Sequence, residues 1–290
     1  MGINLNNIGI GRLNFLSNQP TVATRPLQTQ PDSFVRESKE TFYAKRLEQL
    51  FPKGELQRTY DAMCEELKLD YKPRLNLTLP VMGNAGGGYS FGTNTVTLSL
   101  EDTLGSDTKL YGIKNGEREL QIDKETGVPM MTSKLLAAYI VYSPEAVKNK
   151  GLDAIVAEPA SDEEIKKLFI QKLYHELVHA KQHMIMRQTD GIGAKNVFKS
   201  WGQSKKAPTT PSVVVNLRQE EAYRKSFWAK NATAVKYSKD SEIANYANKC
   251  LDAIKNYPPV DSPEYTKNFI EAEAFKESYN YVVENYGDWS

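Results

Sequence analysis

The sequence has little net charge, few histidines and cysteines, and no long apolar run. Lysine and arginine together number 37 against 36 aspartate and glutamate residues, which leaves a formal net charge of +1 over 290 residues. Proteins that bind nucleic acid or anionic membranes usually carry a concentrated positive charge. The near-balance argues against both, and we expect neither kind of partner.

Long apolar stretches are also missing. No run approaches the roughly 18 residues that a membrane-spanning helix needs. The first 20 residues lack the charged region followed by a continuous apolar stretch that marks a secretory signal. We therefore expect no membrane span and no cleaved leader, which fits a cytoplasmic protein or one secreted without a leader.

The only cysteines are Cys64 and Cys250, which are far apart and do not form a C-x-x-C motif. One disulfide between them is conceivable, but two buried free thiols in a reducing compartment is the simpler interpretation. With 25% charged and 40% hydrophobic residues, the composition is that of an ordinary soluble globular protein.

The chain divides by character into an arm and one domain. Residues 1–34 are polar, rich in Asn, Gln, Thr and Pro, and show no sustained period, which predicts a flexible arm. Residues 35–290 are expected to form a single domain. Its first part, 35–160, mixes helical and strand patterns, and its second part, 161–290, is predominantly helical.

Within the first part, apolar residues recur at helical spacing over 38–50 and 54–69, which predicts two helices. Alternating patterns at 74–80 and 94–100 predict two strands, joined through a glycine-rich turn. Asn115-Gly116 lies between two further alternating runs and indicates a tight hairpin. Residues 133–158 are ambiguous between helix and buried strand.

The second part opens with a helix start signal. Ser161 and Glu164 have the spacing of a capping box, and the apolar pattern then continues to about Met186. Residues 187–216 show little pattern, so they are either a functional lid or disordered. Helices are predicted at 217–231, 241–256 and 263–285. Ser262 is the predicted cap of the last helix, with Pro263 at its first position.

All three histidines lie in the segment LYHELVHAKQH, residues 173–183. On a helix, His175 and His179 project from one face a turn apart, so two imidazole nitrogens can reach one metal ion. Glu176 then lies beside the ion, where its carboxylate can take a proton from an activated water. His183 lies about 11 Å from His175 along the helix, too far to share the ion. It is assigned to substrate contact or to no special role.

A catalytic zinc normally takes a third protein ligand. Two segments compete, one containing Glu220 and the other Glu271. Glu271 falls on an apolar arc of its helix, where a carboxylate is costly unless it is paired or binds a cation. Glu220 can pair with Arg224 one turn later, so Glu271 is the preferred third ligand. Glu273 falls on the opposite, charged arc and is expected to face solvent.

Together the HELVH helix, the downstream EAEA helix and the segment GGGYSFGTNTVTLSL resemble a zincin metallopeptidase of the glutamate-ligand (gluzincin) branch. The resemblance implies an α+β zincin-like fold. In it a small mixed sheet places an edge strand over the metal-binding helix, and the C-terminal half is helical. It also implies that residues around Thr95 to Leu100 line the cleft and pair with an extended peptide.

The expected function is zinc-dependent hydrolysis of peptide bonds in a peptide or protein substrate, with Zn²⁺ as cofactor and Glu176 as general base. Tyr223, Tyr279 and His183 are candidates for stabilising the oxyanion. Two alternatives remain. One is an inactive zincin-like module that binds a peptide or protein, and the other is a structural helical protein that binds no metal.

Overall fold

The computed structural model describes residues 38–79, 86–91, 93–189, 241–259 and 262–289. Within them the chain is a mixed α+β protein with two small sheets. The predicted arm at 1–34, the predicted helix at 217–231 and all but the first three residues of segment 187–216 lie outside the described residues.

The helices differ widely in length, and the longest has 27 residues. In chain order they are α1 Lys39–Leu50, α2 Glu55–Glu66, α3 Leu100–Leu104, α4 Lys134–Val141, α5 Pro144–Asn149, α6 Asp162–Gln188, α7 Glu242–Lys255 and α8 Phe269–Tyr286. The strands are β1 Arg74–Thr78, β2 Gly87–Ser90, β3 Thr95–Ser99, β4 Thr108–Lys114, β5 Glu117–Leu120, β6 Met131–Thr132 and β7 Ala154–Pro159.

The first sheet has the order β1-β3-β2, with β1 parallel and β2 antiparallel to β3. The second sheet is built on β4, which pairs antiparallel with β5 and β6 along one edge and with β7 along the other. Among the described strands, β2 is therefore an edge strand of the first sheet, with one side of its backbone unpaired by any strand.

Helix α6 runs through the main core. Its predicted capping box is present: the Ser161 side chain accepts from the Glu164 backbone, and the Glu164 carboxylate accepts from the Ser161 backbone at 2.7 Å. Phe169, Leu173 and Leu177, which belong to the apolar pattern predicted for this helix, are fully buried. Sheet 1 packs on one side of α6 and α8 on another, which is why almost every face of this helix is covered.

Several predictions for the first part of the chain are confirmed. Helices α1 and α2 occupy the two predicted helical segments. At the tip of the β4–β5 hairpin, Asn115 and Gly116 have φ of 53° and 81°, the positive values that a tight hairpin turn requires. The ambiguous residues 133–158 form α4, α5 and the start of β7. Ser133 and Ser143 cap the two helices.

The glycine-rich segment differs from expectation. It was predicted as a turn, but Gly87–Ser90 within it forms β2. The prediction that residues around Thr95 to Leu100 pair with a peptide is wrong for the same reason. Strand β3 (Thr95–Ser99) already has β1 on one edge and β2 on the other, and Leu100 begins α3. Period-2 alternation identifies a strand, but it does not tell which strand lies at the edge.

The predicted start of the last helix at Pro263, with Ser262 as cap, is also wrong. Helix α8 begins at Phe269, and the Asn268 side chain accepts from the Ile270 backbone at 3.2 Å. The same side chain donates to the Ala253 carbonyl at 3.0 Å, which ties the cap to α7. Residues 262–268 form turns instead, and that places Tyr265 beside the site described below.

Both cysteines are free and buried, as predicted. Burial raises the pKa of each thiol to about 12, so neither is a reactive thiolate at neutral pH. In the part of the chain that the structure describes, no helix is both long and apolar enough to cross a membrane.

Candidate metal centre

Three side chains from two helices come together: His175 and His179 from α6 and Glu271 from α8. The two Nε2 atoms are 3.1 Å apart. Glu271 Oε2 is 3.3 Å from His175 Nε2, and Glu271 Oε1 is 3.4 Å from His179 Nε2. The three groups could hold a metal ion. The structure thus brings together the predicted pair and the preferred third residue, whereas Glu220 lies outside the described residues.

The electrostatics of Glu271 fit a cation-binding carboxylate. Its side chain is 1% exposed, and burial alone would raise its pKa. The imidazoles of His175 and His179 outweigh that effect and hold the pKa well below its usual range, so Glu271 is ionised. Its Oε2 is buried with no hydrogen-bond partner among the described residues. A buried anion with an unused acceptor is stable only next to positive charge.

The ring of His179 is oriented by Gln182. His179 Nδ1 is 2.9 Å from Gln182 Oε1, which can only accept, so Nδ1 carries a proton and donates, while Nε2 faces Glu271. Gln182 is itself fixed, because its Nε2 donates to the Ile270 carbonyl at 3.0 Å and to Glu273 at 2.8 Å. The ring of His175 packs on Phe275, with centroids 4.4 Å apart.

Glu273 does not face solvent as predicted. It is half-buried, and besides Gln182 it accepts a hydrogen bond from Tyr246 of α7. The helical arc of α8 was assigned correctly, but the sequence does not show that α7 covers it. Glu273 therefore supports the site indirectly, through Gln182.

Glu176 lies beside the three donor groups and lines the cleft described in the next paragraph. Burial raises the pKa of its carboxyl, while the neighbouring histidines and the backbone N–H of Tyr89 act in the opposite direction. Gly87 faces it closely, since a Cβ at that position would lie 3.1 Å from Glu176 Oε1 and 2.7 Å from Leu98. Glycine is thus needed at 87 for β2 to approach α6 beside this carboxylate.

The cleft has a volume of about 340 Å³. One wall is apolar and consists of Val128, Pro129, Met130, Met131, Leu168 and Phe275. The polar lining includes His175 and Glu176, together with Tyr265 from the turn before α8. Burial, followed by the charge of Glu271, raises the pKa of Tyr265, so this phenol is a neutral hydrogen-bond donor.

Tyr265 and Tyr257 were missed by the sequence analysis. Tyr257 donates to Glu271 Oε1, and its ring lies 5.9 Å from that of Tyr265. No motif surrounds either residue. Tyr257 lies just after the end of α7 and Tyr265 in the turns before α8, and only the packing of these segments brings them to Glu271. Among the predicted oxyanion candidates, Tyr279 packs on Gly127, and Tyr223 lies outside the described residues.

His183 is buried beside Tyr89 and Phe91, with ring centroids 5.5 and 5.1 Å away. Burial lowers its pKa to about 3, so the ring is neutral at physiological pH. It does not belong to the group that could hold a metal, in agreement with the distance estimated from the helix.

Comparison with family models, curated proteins and solved structures gave no match for this chain.

Proposed function

We propose that this chain is a zinc-dependent peptidase of the zincin type, with Glu271 as the third metal ligand. The observation that carries the proposal is the spacing of the three donor groups. Ligand atoms about 2.1 Å from a tetrahedral zinc stand about 3.4 Å from one another. The measured separations of 3.1, 3.3 and 3.4 Å match that value closely.

The donor types favour zinc over magnesium and calcium. Two imidazoles and one carboxylate with a fourth position open to a cleft form one of the usual ligand sets of catalytic zinc, and Glu176 directly after His175 has the position of the base in an H-E-x-x-H zinc site. Magnesium and calcium prefer sites made of oxygen ligands. When bound in such a site, zinc supplies Lewis acidity, which polarises a carbonyl and acidifies water.

Glu176 is the general base of the proposed reaction. Its carboxylate faces the cleft beside the donor groups, and burial raises its pKa towards the range where it can both accept and return a proton. It first takes a proton from the attacking water and then gives a proton to the leaving amine. A module that only binds peptide has no physical need for a buried carboxylate at this position.

Tyr265 is the proposed donor to the oxyanion that develops on the scissile carbonyl. It lines the same cleft as Glu176, and its phenol stays protonated. A neutral donor held in a partly dry cleft stabilises developing charge more strongly than the same donor in water. Tyr265 is a further candidate beside the three expected from the sequence.

The edge strand that pairs with substrate is β2 instead of β3. Its unpaired side lies next to Glu176, and the Tyr89 backbone N–H already reaches that carboxylate. An extended peptide that adds to β2 would therefore present its backbone carbonyl beside the donor groups.

Four full-length proteins test the proposal: wild type, Glu176→Gln, Glu271→Gln and Glu220→Gln. We expect about one zinc per chain in wild type and in Glu176→Gln, because Glu176 is not a ligand. A peptide library analysed by mass spectrometry should show cleavage by wild type and a loss of at least a hundredfold in Glu176→Gln.

Glu271→Gln should lose zinc, whereas Glu220→Gln, the alternative third ligand, should keep it. Cleavage by Glu176→Gln at the wild-type rate would show that the catalytic assignment is wrong. Zinc binding without cleavage of any peptide in the library would favour the inactive binding module.

A further inference from the structure

Strand β2 and helix α6 lie side by side with their chains running in the same direction, so the two ends of the cleft can be told apart. A Cβ on Gly86, just before β2, would lie 3.2 Å from Lys172 Nζ, and one on Gly87 would lie 3.1 Å from Glu176 Oε1. Two residues later, the Tyr89 ring lies 5.5 Å from that of His183. Lys172 therefore marks the beginning of the edge strand, and His183 lies towards its end.

The direction of β2, together with the preference for antiparallel pairing, gives the expected orientation of a peptide that pairs with β2. Ser99 donates its backbone N–H to the Gly86 carbonyl at 3.0 Å, so alternate residues of β2 turn their polar groups towards β3 and the others turn away from it. Antiparallel pairing is the more stable arrangement per residue. A peptide paired antiparallel to β2 runs towards Gly86, and its C-terminal part, which leaves as the amine product, approaches Lys172.

Lys172 has an unusual environment for a lysine of α6. Its ammonium donates to the Asp102 backbone carbonyl at 2.6 Å. Among the described residues, no carboxylate oxygen lies within 4.0 Å of it. By contrast, Lys166 pairs with Glu55 at 2.5 Å and Lys181 with Glu277 at 3.2 Å.

The surroundings of Lys172 favour binding of an anionic ligand at its ammonium group. Burial lowers the pKa of its ammonium, and the charge of Asp102 offsets only part of that effect. Asp123 also lines the cleft, and its Oδ1 accepts the backbone N–H groups of Glu125 and Thr126 at 2.9 and 3.1 Å, which directs this oxygen to its own turn. A partly desolvated cation that forms no ion pair among the described residues gains most from a charged acceptor.

Gln171, the residue before Lys172, also has an unused hydrogen-bonding group. Gln171 lines the same cleft and is 4% exposed, and its Oε1 is buried with no hydrogen-bond partner among the described residues. An acceptor left open in this way suits a backbone N–H of a ligand. Lys172 and Gln171 thus offer one donor and one acceptor at the same end of the cleft.

Building on the peptidase function proposed above, we propose that Lys172 forms a subsite for a carboxylate on the leaving-group side of the scissile bond. Lys172 precedes Glu176 by one helical turn, about 6 Å along the axis. An extended peptide advances about 3.3 Å per residue, so the carboxylate belongs one or two residues after the cleaved bond. A free C-terminus and an acidic side chain present the same chemistry there.

The test uses full-length, zinc-loaded protein and one peptide that the wild type cleaves. Glutamate replaces glutamine singly at the two positions before and the two positions after the scissile bond. A second pair of peptides ends two residues after that bond, as free acid or as amide. We expect a carboxylate after the bond to raise kcat/KM roughly tenfold over its neutral counterpart. A gain confined to the free acid identifies the chain terminus as the ligand, and a gain confined to glutamate identifies the side chain.

Lys172→Met should bring the ratio of kcat/KM for acidic over neutral peptide close to one, and Lys172→Gln provides a second variant should the first fail to fold. Lys181→Met is the matched control, because Lys181 is on the same helix but does not line the cleft. It should keep the wild-type ratio.

A binding measurement separates recognition from turnover. Fluorescein-labelled free-acid, amide, glutamate and glutamine peptides are titrated with Glu176→Gln protein and with Glu176→Gln/Lys172→Met protein. The acidic members of the series should bind the first protein more tightly, by a factor that shrinks with salt, and this difference should vanish in the second.

Absence of cleavage by wild type would count against the peptidase function itself. Cleavage with the same ratio in wild type and Lys172→Met, or a preference for acid before the scissile bond, would overturn the Lys172 subsite while leaving the peptidase intact.

Discussion

His179 shows how one residue depends on partners that do not themselves touch the donor group. Its Nε2 faces His175 and Glu271, and its Nδ1 donates to Gln182. Gln182 in turn donates to the Ile270 backbone and to Glu273 on α8, so the ring is held from the same helix that carries Glu271. Orientation of a histidine ligand by its other nitrogen commonly changes metal affinity by one or two orders of magnitude.

We expect Gln182→Ala to weaken zinc affinity roughly 10- to 100-fold, because His179 loses the acceptor that fixes its tautomer and ring plane. The measurement is competition with a chromophoric chelator, together with urea unfolding of the metal-free protein. Gln188→Ala is the matched control, since Gln188 is also a buried glutamine of α6 and donates to Asp70 at 3.0 Å, away from the site.

If both glutamine variants lose stability but bind zinc equally well, Gln182 is only a packing residue. A selective loss of affinity in Gln182→Ala identifies it as a positioning residue for His179.

The sequence predicted those site residues whose geometry is local. H-E-x-x-H spacing on one helix fixes His175, Glu176 and His179 relative to one another. Glu271 was inferred from the cost of a carboxylate on an apolar arc, and the structure brings it to the two histidines. Gln182 and Tyr265 could not be inferred, because their roles depend on how α7, α8 and the preceding turn pack around α6.

At the scale of elements, the start of α6 is held by more than its cap. Glu164 closes the capping box and also accepts from Lys109 of β4 at 2.5 Å, with both side chains largely buried. The hydrogen bonds from Lys109 and Ser161 outweigh the effect of burial and lower the pKa of Glu164 below its ordinary value of 4.5. This pair links the second sheet to the helix that carries the donor groups.

We expect Glu164→Gln to lower the free energy of unfolding by roughly 1–3 kcal/mol at pH 7, since glutamine keeps the capping geometry but leaves Lys109 without a charged partner. The pKa of Glu164 is lower in the folded than in the unfolded chain. Its contribution is therefore complete above the ordinary pKa of 4.5, which the unfolded chain has, and is lost as the pH falls through the folded-state pKa.

Urea unfolding of wild type and variant from pH 7 to pH 3 should thus show a difference that is constant above about pH 5 and narrows below it. The control is a double-mutant cycle with Lys109→Met. If Glu164→Gln costs as much in the Lys109→Met background as in wild type, the ion pair contributes nothing.

Elements defined by strong local signals were predicted well from the sequence, and those defined by their neighbours were not. The α6 cap and the Asn115-Gly116 turn each need only a few adjacent residues. Strand β2 was missed because three consecutive glycines resemble a turn, whereas Gly87 is required by the approach of Leu98 and Glu176. The edge position of β2 is a property of the whole sheet order.

At the scale of the whole molecule, the donor groups join two distant parts of the chain. Helices α6 and α8 share a long packed interface, and the two histidines and Glu271 lie within it. A metal ion bound there would stabilise the folded state but not the unfolded one, where the ligands are far apart.

We expect removal of zinc with a chelator to lower the melting temperature by roughly 5–10 °C, which corresponds to about 2.7 kcal/mol when free zinc is a hundred times its Kd. Differential scanning fluorimetry with and without chelator measures the shift. Glu271→Gln is the control and should show no response. An unchanged wild-type melting temperature would support the structural helical protein that binds no metal.

The separation of the ligands along the chain has a consequence for biosynthesis. Glu271 is synthesised about 90 residues after His179, so a ribosome that has completed α6 has not yet made the proposed third ligand. At that stage the chain has Glu176 and the two histidines but not the third member of the group that could hold a metal. On the proposed function, hydrolysis would begin only after α8 has been made and has docked on α6.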